Sequence, residues 1–214
     1  MDIEQWTLDL VDDDLDLPGW LFLPPELDAA GRQQWLEARV SDLEGTPLWD
    51  EGVVTVELAT QLLEEALAHR SEAESAAMLQ VWPPLAGHTA MCHVNLLPSD
   101  GMPTWTEMED AVVQPTDAPH LGPGVEVITN RELTLDDGEV VDLTGVHFVF
   151  DDGELTVMVS LDETLTTLIA IALPALVALI NNLRVVNTAE NTVFEAVAPA
   201  GLLVEGPWDF ETSP

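Results

Sequence analysis

The sequence predicts an α+β fold: an antiparallel sheet of about five strands flanked by helices, in a single domain with an N-terminal helical portion. Three observations carry this. Residues 125 to 160 break into the β-like runs VEVITNRELTL, EVVDLTGVHFVF and ELTVMVS, separated by Asp136-Asp137-Gly138 and Asp151-Asp152-Gly153. Asp-Gly between apolar runs is a hairpin signal, so these runs read as an antiparallel meander. The stretch Ser160 to Arg184 opens with S-x-x-E, Ser160 and Glu163, and then places Leu165, Leu168, Ile169, Ala172, Leu176, Leu179, Ile180 and Leu183 at helical spacing. That pattern predicts a capping box and one long apolar helix over Ser160 to Leu183, lying on one face of the sheet. The third observation is a pair of helical patterns ahead of the β-like material.

In chain order, Trp6, Leu8 and Leu10 alternate as in an edge strand, and Asp12, Asp13, Asp14 and Asp16 follow as a solvated turn. GWLFLPP supplies Trp20, Phe22 and Leu23 as a short buried anchor before Pro24-Pro25. Asp28 is a good N-cap for a helix with Trp35, Leu36, Val40 and Leu43 on one face, ended at Gly45-Thr46-Pro47. A second helix, Thr55 to Arg70, is expected against the sheet through Leu58, Leu62, Leu63, Ala66 and Leu67, with Glu64, Glu65 and Arg70 opposite. AAMLQVWPPL and HTAMCHVNLLP read as strands. Pro98 to Pro123 reads as a Pro-rich connection holding a short helix capped by Thr104 and Glu107. Pro174 removes one backbone donor from the long helix and predicts a kink. The expected layout is one domain over 1–205, with a helical portion at 1–75, sheet and long helix at 76–184, and a mobile acidic tail at 206–214.

The order helix, strand ending in VWPP, strand, connection, three-strand meander and a last helix opening with DETL resembles the PsbP/Mog1-like α/β/α sandwich, including its LpqN-type members. The matching residues run from Ala76 to Arg184, through the passage VMVSLDETL. The resemblance implies protein binding rather than chemistry, and it transfers no functional residue.

Composition bounds the function. Forty Asp and Glu stand against five basic residues, all Arg, for a formal net charge of -35. Nucleic acid and anionic membrane surfaces are therefore repelled, since both are bound by neutralising phosphates with Lys and Arg. The acidity fits a high-salt interior, an acidic Lys-poor proteome, or a surface that meets a basic partner. The lone Cys92 excludes an intrachain disulfide framework, and the N-terminus has neither a basic nor an apolar signal region, so a cytoplasmic location is expected. The apolar run Leu165 to Ile180 is shorter than the roughly 20 residues a spanning helix needs.

No catalytic, metal or cofactor signature stands out. His88, Cys92 and His93 are zinc-ligand types, but Cys92 and His93 are neighbours in a strand and point to opposite faces. Cys92 as a nucleophile would need an electropositive site and a base such as His69, His88, His120 or His147. The D-D-G turns lack calcium-loop spacing. A deep pocket gathering His88, Cys92, His93, His120 and His147 would mark a small-molecule-binding or hydrolytic enzyme. Otherwise the expected function is a non-catalytic accessory module that holds a basic protein partner. Of seven Trp, those beside Pro or in loops, Trp82, Trp105 and Trp208, are candidate anchors, because Trp leads hot-spot statistics. Trp105 and Met108 on the connection, with Trp82, are the nominated partner-binding residues, and no cofactor is expected.

Overall fold

A computed structural model describes residues 3–12, 15–44, 52–82, 88–101, 111–135 and 138–199. Among these the chain is mostly β, with ten strands in two sheets and three helices. This corrects the expected five strands and the helical N-terminal portion, which holds two strands as well as its two helices. The strands are β1 (Trp6–Leu10), β2 (Trp20–Phe22), β3 (Ala77–Val81), β4 (Ala90–Pro98), β5 (Ala111–Ala118), β6 (Gly122–Thr134), β7 (Val140–Asp151), β8 (Leu155–Leu165), β9 (Leu183–Asn187) and β10 (Thr192–Val193). The helices are α1 (Ala29–Glu44), α2 (Val56–Glu72) and α3 (Thr166–Asn182).

The large sheet runs β2-β3-β4-β8-β7-β6-β5 with every pair antiparallel. The expected meander is there as β6-β7-β8, and β5 extends it on the outside. β5 also corrects the long connection, because Ala111–Ala118 is an edge strand rather than a link. At the β7–β8 turn the Asp152 carboxylate accepts the Glu154 and Leu155 amides at 2.8 and 2.7 Å, and Gly153 takes φ +95°, which a side chain would resist. The residues after α3 form β9 and β10, and β9 pairs with β1 on one side and β10 on the other in a separate three-stranded sheet. Two distant pieces of chain make that sheet, so neither piece alone announces it.

Alternation sorts the large sheet into two faces. Cys92, Val94 and Leu96 of β4, Phe148 and Phe150 of β7, and Val157, Val159 and Leu161 of β8 face α3 and the small sheet, forming the main core. On the other face α2 covers β2–β4 through Ala66 against Met78 and Leu23, and α1 packs outside it through Leu36, Val40 and Leu43. The molecule thus has three layers. α2 opens with Thr55, whose hydroxyl accepts the Leu58 amide at 3.3 Å.

Two sequence expectations fail here for local reasons. Ser160 and Glu163 do not cap a helix, because β8 continues to Leu165 between β4 and β7, and α3 begins at Thr166 with no side-chain cap. Arg70, expected on the solvent face of α2, is buried, and its guanidinium donates to the Ser75 carbonyl at 3.0 Å, tying the end of α2 to the approach to β3.

Candidate functional site

The polar side chains of the sheet's helix-covered face form a row across three strands. His93 of β4 and His147 of β7 both sit opposite Ser160 of β8 in the strand register, so all three project to the same side. The Ser160 hydroxyl and His147 Nδ1 are 3.0 Å apart. His93 Nδ1 lies 3.1 Å from the Ser75 hydroxyl, and its Nε2 lies 3.1 Å from Asp162 Oδ2. The ring of His69, from α2, meets that of His93 edge-on with centroids 5.4 Å apart. Burial lowers the pKa of His147, an effect opposed by the charges of Asp162 and Glu163.

Ser75, His93 and Asp162 make a serine–histidine–carboxylate chain, yet its layout does not serve nucleophilic catalysis. Ser75 is buried, whereas the Asp162 side chain is 45% exposed, so the carboxylate and not the hydroxyl is presented to solvent. A nucleophile needs the reverse arrangement. The row instead joins α2, β4 and β8 across a layer boundary. Cys92 points to the opposite face, fully buried, where desolvation first and the charge of Asp162 second push its thiol far above the usual range. It is a core residue. His88 takes no part in the row, and His120 lies away from it, beside a separate 240 Å³ cleft with Arg184 and Glu195. Among the described residues no group of three His, Cys, Asp or Glu could hold a metal ion.

Of the nominated anchors, Trp82 is 4% exposed and packs with Leu63 and Leu67 of α2. Its Nε1 donates to the Gln80 side-chain Oε1 at 3.0 Å, and Gln80 Nε2 donates to the Leu62 backbone carbonyl at 3.0 Å. Trp82 is therefore a core residue in this structure. Trp105, Met108, Trp208 and the Thr104–Glu107 capping pair lie outside the described residues.

One cleft with an apolar floor was not anticipated from the sequence. Between α1 and α2 runs an open groove of about 590 Å³. Leu36, Val40 and Val56 form its floor, and Glu37, Glu44 and Glu64 stand on its rim against a single Arg32. It arises because α1 carries few apolar residues: Leu36, Val40 and Leu43 are spent on α2, which leaves a shallow seam bordered by polar side chains. The signal in the sequence was the three carboxylates flanking the two apolar stripes, but their meeting depends on how the two helices dock.

No family model matches this sequence. Neither the curated proteins nor the solved structures give a significant match.

Proposed function

We propose that the protein is a non-catalytic binding module that holds a basic protein partner, with the α1–α2 groove as a contact site. The observation that supports this reading is the groove itself, an apolar floor edged by three carboxylates on a chain of net charge -35. Distributed negative charge speeds the encounter with a cationic partner, while desolvated apolar contacts hold it. An amphipathic helix with apolar residues on one face and Lys or Arg on its flanks fits such a seam. The PsbP/Mog1-like resemblance, which implies protein binding, points the same way. Among the described residues no helix is long and apolar enough to cross a membrane, and we take the cytoplasm as the place of action from the single buried thiol.

The test uses a synthetic Leu/Lys amphipathic helix and its Leu/Glu counterpart, titrated against the full chain. The basic peptide is expected to bind, more weakly at high salt, and the Glu37→Lys, Glu64→Lys double variant to lose at least about tenfold in affinity. Charge reversal at Glu132 and Asp142, on another face, should cost little. Equal losses from both double variants would remove the groove and leave only diffuse attraction. Tighter binding of the acidic peptide would remove the proposal. Trp105→Ala, assayed in parallel, supports Trp105 as a second anchor if binding falls and thermal stability does not.

A further inference from the structure

On the opposite side of the large sheet the charge thins out over α3 and the small sheet. α3 is TTLIAIALPALVALINN, without one ionisable side chain, although about a fifth of the whole sequence is charged. The strands beside it, β1, β9 and β10, contribute one Asp and one Arg, and these two, Asp9 and Arg184, pair with each other. The helix and the three strands are therefore neutral in a chain of net charge -35, with Glu190 confined to the β9–β10 turn at their margin.

It is also apolar where it faces out. Ala170, Ile171, Pro174 and Val177 form an exposed strip along α3, with Ile171 at 38% and Val177 at 39% exposure. On the small sheet Thr7, Val186 and Val193 align by strand register, and Val193 is 56% exposed. A helix that is apolar all round normally has cover on every side. Here the sheet covers only the face bearing Leu168, Ile169, Ala172, Leu176, Leu179 and Ile180.

We propose that a second copy of this chain covers this strip, which no described residue covers, giving a two-fold dimer through the outer surface of α3 and the small sheet. Electrostatics selects this occupant. Two copies repel each other wherever carboxylates meet, so a self-contact must lie where they are absent, and an uncharged apolar strip is complementary to itself. A basic partner gains no ion pair there. The size allows a weak dimer. A 17-residue helix is about 25 Å long, and three strands spaced by about 4.8 Å add about 14 Å of width, on the order of 500 Å² in projection. That is below the roughly 800 Å² per partner of a standard interface and in the range of a weaker, concentration-dependent one. Such a dimer leaves the α1–α2 groove open on both copies, since the groove lies across the large sheet, and the inference stands whether or not the groove binds a basic protein.

Sedimentation velocity over a concentration series, in about 0.1 M and about 1 M NaCl, tests it. The mass should move from 23.3 kDa toward twice that value, and at lower protein concentration in the higher salt, because screening removes repulsion without weakening apolar contact. Basic-peptide binding should respond to salt in the opposite direction. Ile171→Glu and Val177→Glu should each raise the dimer dissociation constant at least about tenfold, since each buries unpaired charge at the contact, with circular dichroism unchanged. Val112→Glu, on the β5 edge, should leave it as it was. An Ala170→Cys chain, whose other thiol is buried, should form an interchain disulfide on mild oxidation even if the Glu variants fold poorly. A monomer throughout both salt series, or dimers untouched by the two α3 variants and no cross-link at position 170, would overturn the proposal. Flotation of the monomer with phosphatidylcholine vesicles, abolished by the same variants, would assign the strip to lipid instead.

Discussion

At the scale of single residues, the clearest coupling is between His147 and its strand neighbours. Strand parity in the sequence already puts His93 and Cys92 on opposite faces, and the structure keeps them there, with Cys92 in the main core and His93 beside α2. What parity could not supply is register, and register is what brings Ser160 between His93 and His147. Trp82 shows the same limit: its place beside Pro suggested an exposed anchor, but Gln80, two residues back on the same face, receives its indole N–H inside the layer. The burial that lowers the pKa of His147 has a sign that can be tested. The unfolded chain takes a proton on this imidazole near pH 6.5, while the folded chain resists it to a lower pH. Between those values the unfolded state binds more protons, so the contribution of His147 is whole above about pH 6.5 and declines as the pH falls through that window. Urea unfolding of wild type and His147→Gln at about pH 8 and about pH 5 should show the gap between them narrowing at acid pH. A gap that does not change with pH would mean that His147 titrates alike in both states.

At the scale of elements, the α3 helix shows where local signals yield to pairing. Ser160 and Glu163 have the spacing of a capping box, but each has a stronger use in the sheet. Ser160 bonds His147, and Glu163 accepts from Arg131 at 2.7 Å, while β4 and β7 supply backbone partners on both sides. A cap is worth about 1 kcal/mol, less than leaving several ladder groups and a buried imidazole unpaired. The helix therefore starts five or so residues late, directly from the strand and without a cap. Its apolar period was legible from Leu168 to Ile180, and those positions are the buried ones. Its exposed apolar strip was not legible, because a helix apolar nearly all round reads as one covered on more than one side. Pro174 lies on that outer face in mid-helix, where proline costs about 3 kcal/mol relative to alanine. Since no core contact holds it, Pro174→Ala should raise unfolding free energy by about 1–3 kcal/mol in urea titrations. A loss of stability instead would show that the shape imposed by proline is what lets both halves of the helix seat on β7 and β8.

For the whole molecule, charge is the governing quantity, and it is unevenly spread. Composition alone gave its size but not its layering, since Asp9 and Arg184, which cancel each other on the neutral side, are far apart in sequence and adjacent only across β1 and β9. Elsewhere the other 39 carboxylates share three remaining surface or near-surface arginines and the buried Arg70, so most of them have no cation to meet. Compaction brings these charges closer than they are in the unfolded chain, and the folded state carries the greater repulsion. Raising NaCl from about 0.1 M to about 1 M shortens the screening length from about 10 Å to about 3 Å, so repulsion between exposed carboxylates is largely screened. The melting temperature should therefore rise steadily across that range. Sucrose, which favours compact states without screening charge, separates the two effects, because a gain reproduced by sucrose alone would come from burial rather than repulsion. A melting temperature that stays level in NaCl would mean that the unfolded chain keeps its charges as crowded as the fold does. If it climbs, the same salt series that weakens a basic partner's hold also stabilises the fold and strengthens the dimer, so the three measurements respond to one cause with two opposite signs.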